Sequence, residues 1–274
     1  MSPSPVHIAF IGGGNMASAI IGGLLRQGLQ PTQITVIEPF SETAAKLMQD
    51  YGITALTSAG STLAMADLVV WAVKPQVFLE AAIPVTPHTQ GALHLSVAAG
   101  IRTDSICRWT HSERVVRCMP NTPALIGQGI TGLFACPSVT SQDKSLVEQV
   151  IGTTGQHLWV QQESQLDAVT ALSGSGPAYV FYFLEAMTQA GVGMGLSAEQ
   201  AYKLAVATFS GASSLAAAST ESPEVLRQRV TSKGGTTYAA ITSLEDSGVN
   251  ASFVKAMQAA EVRARELGDE FGKA

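Results

Sequence analysis

The chain has 274 residues, 46% of them apolar and only 14% charged, with a formal net charge of −5 at pH 7. That length holds one large domain or two ordinary ones, and the negative balance argues against a nucleic-acid or acidic-membrane surface. No apolar run reaches the roughly 18 residues of a membrane span, and so apolar a composition points to extensive burial between subunits.

Met1-Ser2-Pro3-Ser4-Pro5 carries no basic residue ahead of the first apolar run, so no signal peptide is expected and the default location is the cytoplasm. Residues 6–11 read as a strand that stops at Gly12-Gly13-Gly14-Asn15-Met16-Ala17. A helical pattern follows at once, from residue 16 to about 27, with Ile20, Ile21, Leu24 and Leu25 on one face and Gly28 as its stop. Residues 34–37 form a second strand ending at Glu38. Ser41 is placed to cap a helix over 42–51 that Gly52 ends. Residues 54–56 form a short third strand. The apolar runs 68–73, 93–99 and 115–119 suit strands buried on both faces of a parallel sheet. Strands at 130–135 and 157–160 around a helix over 142–151 complete a right-handed, doubly wound α/β pattern.

The texture changes near residues 161–165, and no convincing strand follows. Helices are expected over 167–190 (irregular near Gly174-Ser175-Gly176-Pro177), 198–218 after a Ser197 cap, 223–229, 238–245 and 251 to about 267. The architecture expected is a Rossmann domain over 1–162 followed by an all-helical domain over 163–274. The helices between Asp167 and Leu215 are broad apolar surfaces with few charges, the character of a bundle that packs on a second copy of itself.

The glycine turn has the form Gly12-x-Gly14-x-x-Ala17, the dinucleotide fingerprint with alanine in its last place. Gly12 allows the sharp turn, Gly14 lets a pyrophosphate approach the backbone, and Ala17 lets helix and strand pack closely. The free N–H groups of the first helical turn, from Asn15 and Met16 onward, then face phosphate. Glu38 lies about twenty residues further on, where an acid bonds the adenine ribose and repels a 2′-phosphate. It favours NADH over NADPH. Ala72-Val73-Lys74-Pro75 and Val97-Ala98-Ala99 sit at the C-terminal ends of two strands, where small residues let backbone approach a cofactor; the Lys74 side chain reads as a strand terminator. Ser232-Lys233-Gly234-Gly235-Thr236-Thr237 opens a helix with two glycines and several hydroxyls, a place for an anion and best for a carboxylate. Ser173-Gly174-Ser175-Gly176-Pro177 has helical sequence on both sides, so it is no nucleophile elbow. Cys107, Cys118 and Cys136 show no C-x-x-C pairing and read as small buried residues in a reducing compartment. None of the five histidines stands four residues from another, so no helical two-histidine metal site is expected.

Together these motifs, with Met119-Pro120-Asn121-Thr122-Pro123 and the continuation Ala178-Tyr179, resemble the pyrroline-5-carboxylate reductases over nearly the whole chain. The resemblance implies hydride transfer from NADPH or NADH to the cyclic imine of 1-pyrroline-5-carboxylate, giving L-proline. It implies a substrate site at Ser232, Gly234, Gly235, Thr236 and Thr237, with the Thr237 hydroxyl beside the imine nitrogen as the catalytic group, and a cofactor site that includes Asn121. It also implies a homodimer at least, assembled further into a decamer in many members. Lys233 stands where many members have proline. Glu38 stands where NADPH-preferring members place small polar or basic residues. A hydroxy-acid oxidoreductase would need a general acid or base, and none is evident. A regulator that binds NAD(P) without turnover would not need the anion turn at 232–237.

Overall fold

A computed structural model describes residues 6–272. Eight strands form one sheet: β1 (Ile8–Ile11), β2 (Ile34–Ile37), β3 (Thr54–Leu56), β4 (Leu68–Trp71), β5 (Leu93–Ser96), β6 (Val115–Met119), β7 (Gly129–Ala135) and β8 (Gly155–Trp159). Their order is β3-β2-β1-β4-β5-β6-β7-β8. β3 to β6 across the sheet are parallel, β7 runs antiparallel to β6, and β8 is parallel to β7. Every residue of β1, β4 and β5 is buried; β1 and β4 therefore show as unbroken apolar runs, whereas β5 buries His94 and Ser96 between its leucines. One face carries Ile8, Phe10, Val70 and Leu95, and the other Ala9, Ile11, Val69 and Trp71. The chain departs to opposite sides of β1, into β2 and β4. The crevice beyond the C-terminal end of β1 is therefore the switch point of the sheet, where ligands bind in open α/β folds.

The connecting helices are α1 (Asn15–Arg26), α2 (Ser41–Tyr51), α3 (Phe78–Val85), α4 (Thr103–Thr110) and α5 (Ser141–Gly152). Ser41 is not the cap expected of it. The capping position is Phe40, whose carbonyl accepts the Ala44 N–H, and no side chain closes that end. Gly52 does end α2, in the left-handed conformation that glycine adopts without penalty. α3 ends in Pro84–Val85, because proline removes an N–H from the helical ladder and its ring disfavours continuation.

Arg117 on β6 is buried and pairs with Glu163 (Nη1 to Oε1, 2.9 Å) and more loosely with Asp167 (3.9 Å). Glu163 also accepts hydrogen bonds from the Thr103 N–H (2.8 Å) and hydroxyl (2.6 Å), so it caps α4 from sixty residues away. Burial raises the Asp167 carboxyl above the usual carboxylate range, with Arg117 pulling the other way. These contacts fasten α6 (Gln165–Val169) and the π-helical turn Thr170–Gly174 to the sheet. By contacts the chain divides into Met1–Ser175 with Ala260–Ala274, and Gly176–Ala259; the sequence boundary at 162/163 marks the change of texture instead.

The second unit holds α7 (Gly176–Gly193), α8 (Ala198–Ala217), α9 (Pro223–Arg229), α10 (Thr236–Asp246) and the first half of α11 (Val249–Phe271). Ser197 caps α8 as expected, in a reciprocal box with Gln200. The end of α11 belongs to the first unit. Arg102 meets Asp269 at 2.7 Å and Phe271 packs over Gly100, contacts that carry the helix past its expected stop near Leu267.

His94 is wholly buried in β5. Its Nδ1 accepts the Trp71 indole N–H at 3.1 Å, which places the neutral imidazole's proton on Nε2, and Nε2 finds no hydrogen-bond partner among the described residues. Burial lowers its pKa to about 4, with the Thr89 backbone opposing this and Arg114 reinforcing it. Between that value and the ordinary 6.5 the unfolded chain binds a proton the folded chain refuses, so stability falls as pH falls through this window. The expected loss is about 3 kcal/mol. Urea unfolding at fixed protomer concentration should show the wild type losing its advantage over His94→Gln by about that much between pH 6.5 and 4. A constant difference across the window would contradict a buried neutral imidazole.

Candidate functional site

The glycine turn sits at the switch point, as the sequence requires. Gly12 has φ +93°, and a Cβ there would lie 2.7 Å from the Ala72 carbonyl oxygen. A side chain is excluded twice over, by conformation and by the approach of the strand end at β4. Gly12 N–H donates to the Ile37 carbonyl (2.9 Å), so the turn is also tied to β2. Gly13 would press a Cβ into Leu47 and the Glu38 carboxylate. Gly14 has nothing within 4 Å of its Cβ position, and it begins α1 with no side-chain cap. The first-turn N–H groups of α1, including those of Asn15 and Met16, therefore lack helical acceptors and border open space on the Gly14 side. Ala17 is wholly buried where α1 meets the sheet. These residues fit a dinucleotide: space where a pyrophosphate would come, and glycine where backbone must come close.

Glu38 ends β2 and is only 6% exposed. Its Oε2 accepts the Gly13 N–H at 2.8 Å and its Oε1 the Phe40 N–H at 3.1 Å. The carboxylate is thus fixed against the turn by two backbone donors. Each carboxylate oxygen retains acceptor capacity for a hydroxyl.

A cavity of about 460 Å³ opens beside the turn. Ile11, Gly12 and Val73 line its inner end, and Pro39 and Phe40 one flank. Val77, Glu80, Ala81 and Pro84 line the α3 flank. Phe40 is 72% exposed, a large apolar side chain held at the rim. Apart from the strand-end residues, the sequence reading missed this cavity. Its signal was the spacing of Val77, Ala81 and Pro84 on one face of a short helix, obscured by the two prolines that bracket it.

The remaining expected cofactor positions fall at strand ends. Ala72 and Val73 follow β4, with Ala72 N–H donating to the Ile11 carbonyl. Lys74 is exposed and precedes the 3-10 turn Pro75–Val77. Val97, Ala98 and Ala99 follow β5, with Val97 N–H on the Trp71 carbonyl and Ala98 N–H on the Ser96 hydroxyl. The Asn121 side-chain oxygen accepts the Ile130 N–H at 3.0 Å, so this residue also shapes its own loop. Gly174, at the end of the π turn, lies against Met119 at the C-terminal end of β6, where a Cβ would be 2.5 Å from the methionine methyl. The Ser173–Pro177 motif is a helix irregularity and not a strand–helix elbow, in agreement with its flanking sequence.

In the second unit, Gly234 has φ +75° and Gly235 donates its N–H to the Ser232 carbonyl at 3.0 Å. A Cβ on Gly235 would sit 2.7 Å from the Ser232 hydroxyl, which would have to turn away to admit it. Gly235 then occupies the capping position of α10 without a side-chain cap. The N–H groups of Thr236, Thr237 and Tyr238 in the first turn have no helical acceptor, beside the hydroxyls of Ser232, Thr236 and Thr237. The sequence-predicted substrate residues are therefore gathered on one helix start.

Cys118 is buried as expected, whereas Cys107 and Cys136 are only half-buried and face each other with sulfurs 4.0 Å apart. Burial pushes the Cys107 thiol up to about 12 and raises Cys136 as well, so both are protonated at neutral pH. Among the described residues no three His, Cys, Asp or Glu side chains gather to hold a metal ion, and no helix is long and apolar enough to cross a membrane.

Residues 163–267 match the model described as pyrroline-5-carboxylate reductase dimerisation, and residues 7–100 that described as NADP oxidoreductase, coenzyme F420-dependent. A pyrroline-5-carboxylate reductase of Pseudomonas aeruginosa is 43% identical over 98% of this chain and 100% of its own length. Among solved structures, a pyrroline-5-carboxylate reductase of Coxiella burnetii superposes with a TM-score of 0.90 at 37% identity, covering 96% of this chain and 99% of that one. The Plasmodium falciparum pyrroline carboxylate reductase with NADP bound gives 0.85 at 27% identity, covering 96% and 98%. With the glycine turn at the switch point, the glycine-closed turn before α10 and relatives aligned from end to end, the chain belongs to the pyrroline-5-carboxylate reductase family.

Proposed function

We propose that the turn at residues 232–237 holds the substrate carboxylate while the turn at Gly12–Gly14 holds the dinucleotide. As a member of this family the chain reduces 1-pyrroline-5-carboxylate to L-proline with NAD(P)H, the closing step of proline biosynthesis. The observation that supports the division of labour is the start of α10. Three N–H groups without helical acceptors open it, in a segment that also carries the hydroxyls of Ser232, Thr236 and Thr237, a donor set for an anion. Bound NAD(P)H supplies the hydride. What the chain supplies is orientation: a cyclic imine protonated on nitrogen already accepts hydride, so catalysis rests on proximity and on satisfying the carboxylate.

Within that reading Thr237 is the catalytic residue, its hydroxyl accepting a hydrogen bond from the ring nitrogen in substrate and product. Ser232, Gly234, Gly235 and Thr236 hold the carboxylate. A hydroxyl is too weak an acid to protonate the ring outright, so its work is positioning and relay of a water proton. Gly12, Gly13, Gly14, Asn15, Met16 and Ala17 cradle the pyrophosphate. Glu38 takes the adenine ribose, and the strand ends at Ala72–Pro75 and Val97–Ala99, with Asn121, approach the nicotinamide half. We place the working boundary between the domains at 162/163, where the dimerisation model begins, and the enzyme in the cytoplasm.

Assembly follows from the second unit's packing. Gly191, Ala201 and Ala205 are its buried residues, and none is larger than alanine. Phe181, Tyr182 and Met194 are 58%, 69% and 78% exposed. Phe183, Leu244 and Phe253 line a groove of about 700 Å³. Such apolar area on a small helical unit needs cover. The expected state is a homodimer through these helices, with the decamer of many members as a further step.

Oxidation of NAD(P)H in the presence of 1-pyrroline-5-carboxylate tests the activity directly; cofactor binding without turnover would leave only a nucleotide-binding regulator. Light scattering should give a mass at least twice the 28.5 kDa of the chain, and a monomer at micromolar concentration would sink the interface argument. NADH should serve at least as well as NADPH, and Glu38→Ser should raise the NADPH:NADH ratio of kcat/KM about tenfold, equivalent to about 1.4 kcal/mol. A strong wild-type preference for NADPH would refute this role of Glu38. Thr237→Ala should lower kcat/KM by roughly 10–1000-fold with NADH affinity nearly unchanged, and Thr237→Ser should keep much of the activity. Should Thr237→Ala turn over normally while Ser232→Ala is dead, the working hydroxyl is that of Ser232.

A further inference from the structure

The cavity beside the glycine turn has a polar group that the roles assigned so far do not use. Its flanks are apolar, Phe40 on one side and Val77, Ala81 and Pro84 on the other, suited to the two faces of a flat heteroaromatic ring. Its side-chain polar groups are the hydroxyls of Thr57 and Ser58 and the carboxylate of Glu80; no lysine, arginine or histidine lines it. Glu80 stands in the first turn of α3, exposed, with no ion pair or side-chain hydrogen bond among the described residues.

The adenine of a dinucleotide has one hydrogen-bond donor, its exocyclic amine; its ring nitrogens only accept. Among the lining side chains the ionised carboxylate is the one group that only accepts, whereas serine and threonine hydroxyls do either. The one pairing that matches sole donor to obligate acceptor is the amine with Glu80. We propose that Glu80 is the base-selecting residue of the cofactor site, accepting a hydrogen bond from the adenine amine. A base lacking the amine would leave the carboxylate without that partner and bind less tightly. The proposal rests on the reading of Gly12–Gly14 as the dinucleotide turn and adds to it a determinant on the α3 side of the cavity.

The test is binding, measured by isothermal titration calorimetry with NADH and with its purine analogue, in which the 6-amine is replaced by hydrogen. The wild type should bind NADH about tenfold more tightly than the analogue, the scale of one charge-assisted hydrogen bond at a partly solvated site. Glu80→Ala should weaken NADH and bring the two dissociation constants within about twofold of each other. Glu80→Gln, whose amide oxygen can still accept from the amine, should keep NADH favoured over the analogue; a merely structural role for Glu80 would not separate it from Glu80→Ala in this ratio. Equal affinities in the wild type, or discrimination that survives in Glu80→Ala, would overturn the assignment of Glu80 while leaving the dinucleotide site standing. Failure of the wild type to bind either nucleotide would overturn the cofactor reading and this one with it.

Discussion

The nucleotide half of the molecule depends on Gly12 having no side chain. At φ +93°, with the Ala72 carbonyl where a Cβ would be, the chain turns sharply between the ends of β1 and β4. The Gly12 N–H on Ile37 and the Ala72 N–H on Ile11 bind three adjacent strand ends into one edge. That edge fixes the start of α1 and the direction of its unsatisfied N–H groups. It also fixes where the cavity lined by Val73, Phe40 and α3 begins. A substitution at Gly12 therefore acts on fold and site together, whereas Gly14, with open space at its Cβ position, would act on the ligand alone.

Glu38 extends this constraint into electrostatics. A buried carboxylate is tolerable only with donors, and the two it has are backbone N–H groups of the turn and of its own strand end. This carboxylate is thus also a brace for the turn. Glu80 also lines the cavity beside the turn and no lysine, arginine or histidine does, so its charged lining is of a single sign. The second unit works by the opposite economy. α10 begins on free N–H groups and hydroxyls rather than on a capping side chain, leaving donors for an anion, while the neighbouring helices are too apolar to stand uncovered.

Most of the fold was readable from the chain because its cues are local. Strands buried on both faces show as apolar runs, and β2, β3 and β6 have their expected bounds. Gly52 and Ser197 mark helix ends by chemistry that needs no distant partner. Both glycine turns are contiguous segments, and the positive φ of Gly12 and of Gly234 favours glycine there, so they too can be found by spacing. α3 was obscured by Pro75 and Pro84, which normally argue against a helix and here stand at its edges. Ser41 misled because a serine before an apolar periodicity is a common cap, yet the Phe40 backbone had already begun the helix.

What was not readable has in common that it joins residues far apart in sequence. Arg117 and Glu163 are 46 positions apart, and Glu163 reaches back 60 positions to Thr103. Nothing local in Gln162-Glu163-Ser164 announces a carboxylate that both caps α4 and neutralises a buried guanidinium. Yet removing it would strand Arg117 inside the protein, a loss on the scale of about 3–5 kcal/mol. This pair explains why the change of texture near residue 163 and the division by contacts at Ser175 differ. Helical sequence begins where the family's dimerisation segment begins, but its first two turns are held to the sheet by charge. The same limit applies to Glu80. Its neighbours in sequence mark it as a solvated first-turn acid on a short helix. Only the fold places it opposite Phe40 on a cavity that opens from Gly12, and it is that placement, not the residue type, that makes it chemically consequential.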